Sequence, residues 1–145
     1  MGTLILPPAS VVYLDTSPVI YSVEKVAPYA ALLDPLWDEM ELGTIQVISS
    51  ELLLLESLVL PLKQNDTSLI ADYERVLTNS DLLLVKVDAA VLRLAAQLRA
   101  TTNLKTPDAI HAATALATGC TQFITNDSAF LRVPKLNVTV LHQLP

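Results

Sequence analysis

The sequence predicts a layered α/β fold built on a mostly parallel sheet, and three observations point to it. Strand-like and helix-like segments alternate along the whole chain. Strands separated by helices need crossover connections, which make neighbouring strands parallel and cover the sheet on both faces. No repeat, low-complexity tract or Gly/Ser-rich linker interrupts that alternation, and the chain holds only three glycines. Apolar residues make up 52% of the 145 and aromatics 5%. One domain spanning residues 1–145, with a core of Leu, Val, Ile and Ala, is therefore expected.

Each element has its own signal. Val11 to Asp15 is a short β-branched and aromatic run and reads as the first strand. Ser17-Pro18 then offers an N-cap and a first-turn proline. Asp34-Pro35 offers a second helix start of that kind, and Gly43 a matching stop. Thr44 to Ile48 reads as the second strand, and Ser49-Ser50 opens a Leu-rich helix expected to stop near Pro61. From Thr67 to Asn79, Leu69, Ile70, Tyr73, Val76 and Leu77 recur at helical spacing. Leu82 to Val87 forms a third strand. Asp88 caps a helix with Val91, Leu92, Ala95, Ala96 and Leu98 on its apolar side. Thr106-Pro107 starts one more helix and Gly119 ends it. Thr121 to Thr125 is a fourth strand, and Asn137 to Leu141 a fifth, at an edge.

Composition excludes some classes and leaves others open. The uncharged stretch Ala109 to Asn126 contains His111, Gly119 and Gln122, and divides into a helix, a stop and a strand. A membrane span needs about 20 predominantly apolar residues in one continuous helix. Leu4-Ile5-Leu6 is cut off by Pro7-Pro8 and lacks a basic flank, so a signal peptide is not expected. The lone Cys120 cannot form an internal disulfide and fits a reducing compartment. A soluble cytoplasmic protein is the resulting expectation. The net charge of −6 argues mildly against nucleic acid, whose backbone is usually met by Lys and Arg. If four of the acids surround a cation, however, the remaining excess is only two negative charges, and the partner stays open.

The acids carry the chemistry. Ligands of open parallel sheets sit in the crevice beyond the carboxyl ends of the strands. Asp15 ends Val11-Val12-Tyr13-Leu14, Asp127 follows Phe123-Ile124-Thr125-Asn126, and Asp108 lies in the first turn of the helix feeding that strand. Singly, each has an ordinary explanation, as a turn-forming side chain or a helix-start acid. Glu56 is harder to explain, because Leu52 to Leu60 has no other charge. A carboxylate buried there without a partner would cost several kcal/mol or be forced to protonate. A shared cation resolves that cost, and an ion pair with Lys63 or with a basic group elsewhere is the structural alternative. Glu51, beside Ser50 in the first turn, reads as a surface acid of the cap region.

Four carboxylates converging at one sheet edge repel one another unless a cation is present. Oxygen-only ligands select hard ions, Mg²⁺ or Mn²⁺, over zinc or copper. His111, one turn beyond Asp108, has two readings, a group that supports a metal ligand from behind or a satisfied, partly buried residue, and the second is favoured. Thr16, Ser17, Thr125 and Asn126 flank the acids and read equally well as ordinary turn residues.

Four segments together resemble a known family: Val12-Tyr13-Leu14-Asp15-Thr16-Ser17, Ser49 to Glu56, Thr106-Pro107-Asp108-Ala109-Ile110-His111-Ala112-Ala113-Thr114-Ala115, and Ile124-Thr125-Asn126-Asp127. They are similar to PIN domains, most of all to the VapC toxins of prokaryotic toxin–antitoxin pairs, from about Val11 to Leu141. The resemblance implies a three-layer sandwich and a Mg²⁺- or Mn²⁺-dependent endoribonuclease, usually dimeric and silenced by a small antitoxin inserted near the acidic site. Asp15, Glu56, Asp108 and Asp127 fall at the family's four acidic positions, as metal-binding and catalytic residues. The implied chemistry is in-line attack of a metal-activated water that leaves 5′-phosphate and 3′-hydroxyl ends. The acidic net charge departs from what gripping an RNA backbone requires. Other readings are an RNA-processing nuclease outside any toxin pair, a non-catalytic scaffold, and an aspartyl phosphoacceptor. The last expects a second acid beside Asp15 or two positions on, where Leu14, Thr16 and Ser17 stand instead.

Overall fold

The first strand of the chain becomes the middle of the sheet. In the computed structural model, which describes residues 2–144, β1 (Val11–Leu14) lies between β2 (Gln46–Ser50) and β4 (Gln122–Thr125). The short strands β3 (Leu83–Val85) and β5 (Val138–Val140) form the two edges, giving the order β3-β2-β1-β4-β5. All four pairings are parallel, with Val12 in register with Val47 on one side and Gln122 on the other. Strands β1 to β3 build outward one way and β4 to β5 the other. The order therefore reverses between β1 and β4, and it is beyond the carboxyl ends at such a point that open parallel sheets bind their ligands.

Side-chain alternation along the strands explains the two covering layers. Val12 and Leu14 of β1, Val47 of β2 and Ile124 of β4 point into one core, and Tyr13, Ile48 and Phe123 into the other. The first core is closed by α1 (Thr16–Val23), α2 (Tyr29–Leu42), α3 (Leu52–Lys63) and α4 (Thr67–Thr78). The second is closed by α5 (Ala89–Thr102) and α6 (Thr106–Thr118). A central strand buried on both faces has no use for polar alternation, which is why Val-Val-Tyr-Leu is apolar throughout. Among the described residues, no helix is long and apolar enough to cross a membrane.

Several boundaries differ from the sequence reading, each for a packing reason. The α1 helix begins at Thr16, capped by Asp15 and not by Ser17, since the Asp15 carboxylate accepts from the Thr16 N–H at 2.8 Å. Asp34-Pro35 does not start α2 but lies inside it. Pro35 cannot donate to the carbonyl four residues back. It is tolerated on the exposed side, while Leu33, Leu36 and Met40 bury the opposite one. Ser49 and Ser50 belong to β2, and α3 starts after them and runs two residues past Pro61. The cap expected at Asp88 and the stops at Gly43 and Gly119 hold, both glycines adopting the left-handed conformation that favours their residue type, and Asp66 caps the helix that starts at Thr67. Only β3 is markedly shorter than its apolar run, Leu82 to Val87.

Candidate active site at the carboxyl end of the sheet

Asp15 stands where β1 meets α1 and is only 7% exposed. Its two carboxylate oxygens are spoken for: Oδ1 accepts from the Thr16 N–H at 2.8 Å, and Oδ2 accepts from the Thr125 hydroxyl at 2.7 Å. Thr125 closes β4, is fully buried, and takes the Asp127 N–H at 3.0 Å, so one hydroxyl ties β1 to the β4 end. Burial pushes the Asp15 carboxyl above its ordinary range, against the pull of the His111 ring, Thr125 and the Thr16 amide.

Glu56 reaches the same crevice from α3. Its Oε1 accepts from the Thr16 hydroxyl at 2.8 Å and lies 2.7 Å from His111 Nε2. Burial alone would raise this carboxyl, but the hydrogen bonds from His111 and Thr16 outweigh it and hold the group below its usual range. Of the partners considered from the sequence, Lys63 does not pair with Glu56 among the described residues; the basic group that meets it is the His111 imidazole. Glu51 is exposed and makes no side-chain cap, in keeping with its reading as a surface acid.

The other two acids are held more loosely. Asp108 projects from the first turn of α6, and burial together with the charges of Asp15 and Asp127 raises its carboxyl to about 6, with Glu56 adding to the rise and His111 opposing it. Those charges couple Asp108 to Asp15, Asp127 and Glu56. Asp127 is exposed and caps the 3₁₀ turn over Ser128–Arg132, its Oδ1 accepting from the Ala129 N–H at 2.9 Å. The ordinary turn role that its sequence position suggested is thus real, whatever else the residue does. Among the described residues, no three of the His, Cys, Asp and Glu side chains are already gathered closely enough to hold an ion.

His111 is where the sequence reading was least informative. It is 1% exposed, and both ring nitrogens are engaged within the site: Nδ1 with the Tyr13 hydroxyl at 2.7 Å, Nε2 with Glu56 at 2.7 Å and Thr16 at 3.0 Å. "Satisfied" describes it well; "partly buried" does not. Thr16, left undecided from the sequence, bridges Asp15, Glu56 and His111. Asn126 is less central, joining Tyr21 Oη at 3.1 Å and the His142 amide at 2.9 Å. No local motif signals the links of the His111 ring, of the Thr16 hydroxyl and of Thr125 to Asp15, which join residues between 40 and 110 positions apart.

Fold and site together define an α/β protein whose five-stranded parallel sheet reverses its order between β1 and β4, with Asp15 and Glu56 linked through Thr16 and His111 at the carboxyl end. Its family follows from the chain itself: the PIN-domain model matches residues 12–136, and the protein belongs to the PIN-domain family. No curated protein matches it. Solved structures that share its fold include VapBC2 from Rickettsia felis bound to a DNA fragment from its promoter, at 18% identity and a TM-score of 0.70. That match covers 90% of this chain and 98% of the other. A toxin–antitoxin complex from Klebsiella pneumoniae matches at 19% identity and TM-score 0.65, over 89% and 96% of the two chains. FitAcB from Neisseria gonorrhoeae matches at 20% identity and 0.66, over 92% and 99%.

Proposed function

We propose that this PIN domain is a Mg²⁺- or Mn²⁺-dependent endoribonuclease, and that it is the toxin of a VapBC-type pair. The observation that carries the nuclease reading is the acid-lined crevice, in which mutual repulsion and burial push Asp108 up to about 6. Such an excess of negative charge is what a divalent cation relieves. The donor set fits a hard ion in kind: carboxylate and hydroxyl oxygens, with the one imidazole nearby already hydrogen-bonded at both nitrogens. Membership of a family of nucleases supports the same reading.

Asp15 and Asp108 would hold the ion, with Glu56 and Asp127 binding a second one or orienting water. When bound, the ion supplies Lewis-acid polarisation of a phosphate and lowers the pKa of its water. The chain's own part is orientation. Thr125 and the Thr16 amide fix the Asp15 carboxylate, while Thr16 and His111 fix Glu56, so two ligand groups need little reorganisation on binding.

The toxin reading is supported by fold relatives solved as toxin–antitoxin assemblies, and it implies a cognate antitoxin that presents an Arg or Lys to the crevice. A homodimer belongs to the same reading. The leucines of α2 are largely absorbed by the core, with Leu33 and Leu36 fully buried and Leu32 packed against them. In α3, Leu53 is buried, but Leu55, Val59, Leu60 and Leu62 remain exposed. Two-fold dimers are the commonest oligomer, and exposed apolar surface of this kind favours one.

The test is RNA cleavage by the purified chain with Mg²⁺ or Mn²⁺ and with EDTA. Metal-restored cleavage giving 5′-phosphate ends is expected; metal-independent RNA binding without cleavage would replace this reading with a scaffold. Sedimentation at micromolar concentration should give twice the 15.7 kDa chain mass, and a clean monomer there would reject the dimer.

A further inference from the structure

Around Glu56 the donors and acceptors can be counted. Glu56 is the one candidate ligand brought in from α3, a helix otherwise carrying leucines at this level, and Oε1 alone takes both of its contacts. No hydrogen bond among the described residues uses Oε2. A carboxylate oxygen only accepts, so a 2.7 Å contact with His111 Nε2 needs a proton on that nitrogen.

On the opposite side of the ring, Nδ1 lies 2.7 Å from the Tyr13 hydroxyl. With the proton on Nε2, Nδ1 of the neutral ring can only accept, and the Tyr13 hydroxyl donates to it. Tyr13 has little freedom to do otherwise. It is fully buried on β1, its ring stacked on Phe123 at 5.1 Å and 7°, and Phe123 in turn packs on Phe130 at 4.7 Å.

We infer that His111 is a positioning residue: locked by Tyr13 as its Nε2–H tautomer, it clamps Glu56 Oε1 and leaves Oε2 as the oxygen that can serve a divalent cation. This rests on the metal-site reading above and adds to it a direction of hydrogen bonding, Tyr13 to His111 to Glu56, that spans the sheet from its second core to the crevice. It also assigns His111 no part as metal ligand or proton acceptor, since neither ring nitrogen has a free lone pair facing the site.

Two measurements test it. Long-range ¹⁵N–¹H correlation on the metal-free protein reads the His111 tautomer directly; Nε2–H is expected, and Nδ1–H would overturn the inference. Calorimetric Mn²⁺ binding is then compared among the parent and the variants His111→Ala, His111→Gln and Tyr13→Phe. His111→Ala should weaken Mn²⁺ binding by about 10- to 100-fold, the range typical for groups that orient metal ligands. His111→Gln, which keeps an N–H donor, should recover most of the loss. A purely structural histidine would lower the melting temperature in each variant without this ordering of affinities. If His111→Ala does not fold, Tyr13→Phe decides: loss of the single Nε2–H tautomer with weaker Mn²⁺ binding supports the clamp, and retention of both overturns it. A parent that cleaves RNA and binds Mn²⁺, alongside folded variants of equal affinity, sinks this inference alone. A parent that binds no Mn²⁺ sinks the metal-site reading together with it.

Discussion

Asp15 and Glu56 share a crevice with Asp108 and Asp127, yet the two pairs are built on different terms. The first pair is engaged by donors that arrive from β4, α1 and α6, with only Glu56 Oε2 of their four oxygens left open among the described residues. Asp108, by contrast, has no hydrogen-bond or salt-bridge partner for its side chain among the described residues, and burial with the charges of Asp15 and Asp127 outweighs the pull of His111, while Asp127 spends one oxygen on a cap at the surface. The difference teaches where a charged site keeps its unfavourable energy. Hydrogen bonds can offset burial for two carboxylates, but the charge of the third and fourth then has nothing on the protein to meet it. In a metal site, that uncompensated half is the part that cation binding stabilises most.

The comparison is broken most severely by removing one charge from either pair. Asp15→Asn or Asp108→Asn should each cut RNA cleavage by about 10³-fold or more, as expected when several kcal/mol of ion-mediated stabilisation is lost. Full cleavage by a well-folded variant of either kind would dismiss the metal-site assignment. Glu56→Gln should come next, lowering cleavage by roughly 10- to 100-fold, because the residue is held ready without being the central ligand.

Stability sharpens the contrast in the other direction. Asp108 has a folded pKa of about 6 against an ordinary value of 3.8. A raised carboxyl contributes stability that is fully present below its unfolded pKa and is lost as pH rises through the folded one. In EDTA the parent should therefore melt higher at pH 5 than at pH 7.5, Asp15 adding in the same sense. Asp108→Asn should melt above the parent at pH 7.5 and show a flatter pH dependence. Asp15→Asn should not share that gain. Its new amide would face the Thr125 hydroxyl, which already accepts from Asp127 and now needs somewhere to donate. Equal stabilisation by the two substitutions would show that the pairs do not differ as described. The smallest effect is expected at Glu51, exposed and uncapped: Glu51→Gln should leave cleavage within about twofold, comparable to other surface changes away from a site. If Glu51 is the sensitive position, the α3 ligand has been misassigned.

What the sequence by itself determined is local and periodic. Alternating strand and helix signals were enough for a parallel sheet covered on both faces. Asp88, Gly43, Gly119 and Thr106-Pro107 marked their boundaries correctly, because a cap, a left-handed stop and a first-turn proline depend on only a few neighbouring residues. Asp15, Asp108 and Asp127 could be picked out because strand ends and helix starts are legible, and Glu56 because a lone charge in a leucine run is conspicuous. Tertiary structure decided the rest. Pro35 reads as a helix start until the buried stripe of Leu33, Leu36 and Met40 carries α2 past it. His111 and Thr16 read as ordinary polar residues until α6, α3 and β1 converge and turn them toward Glu56. A hydrogen bond between residues 95 positions apart leaves no periodic trace, since its partners are chosen by how two layers pack across a sheet and not by what lies beside them in the chain.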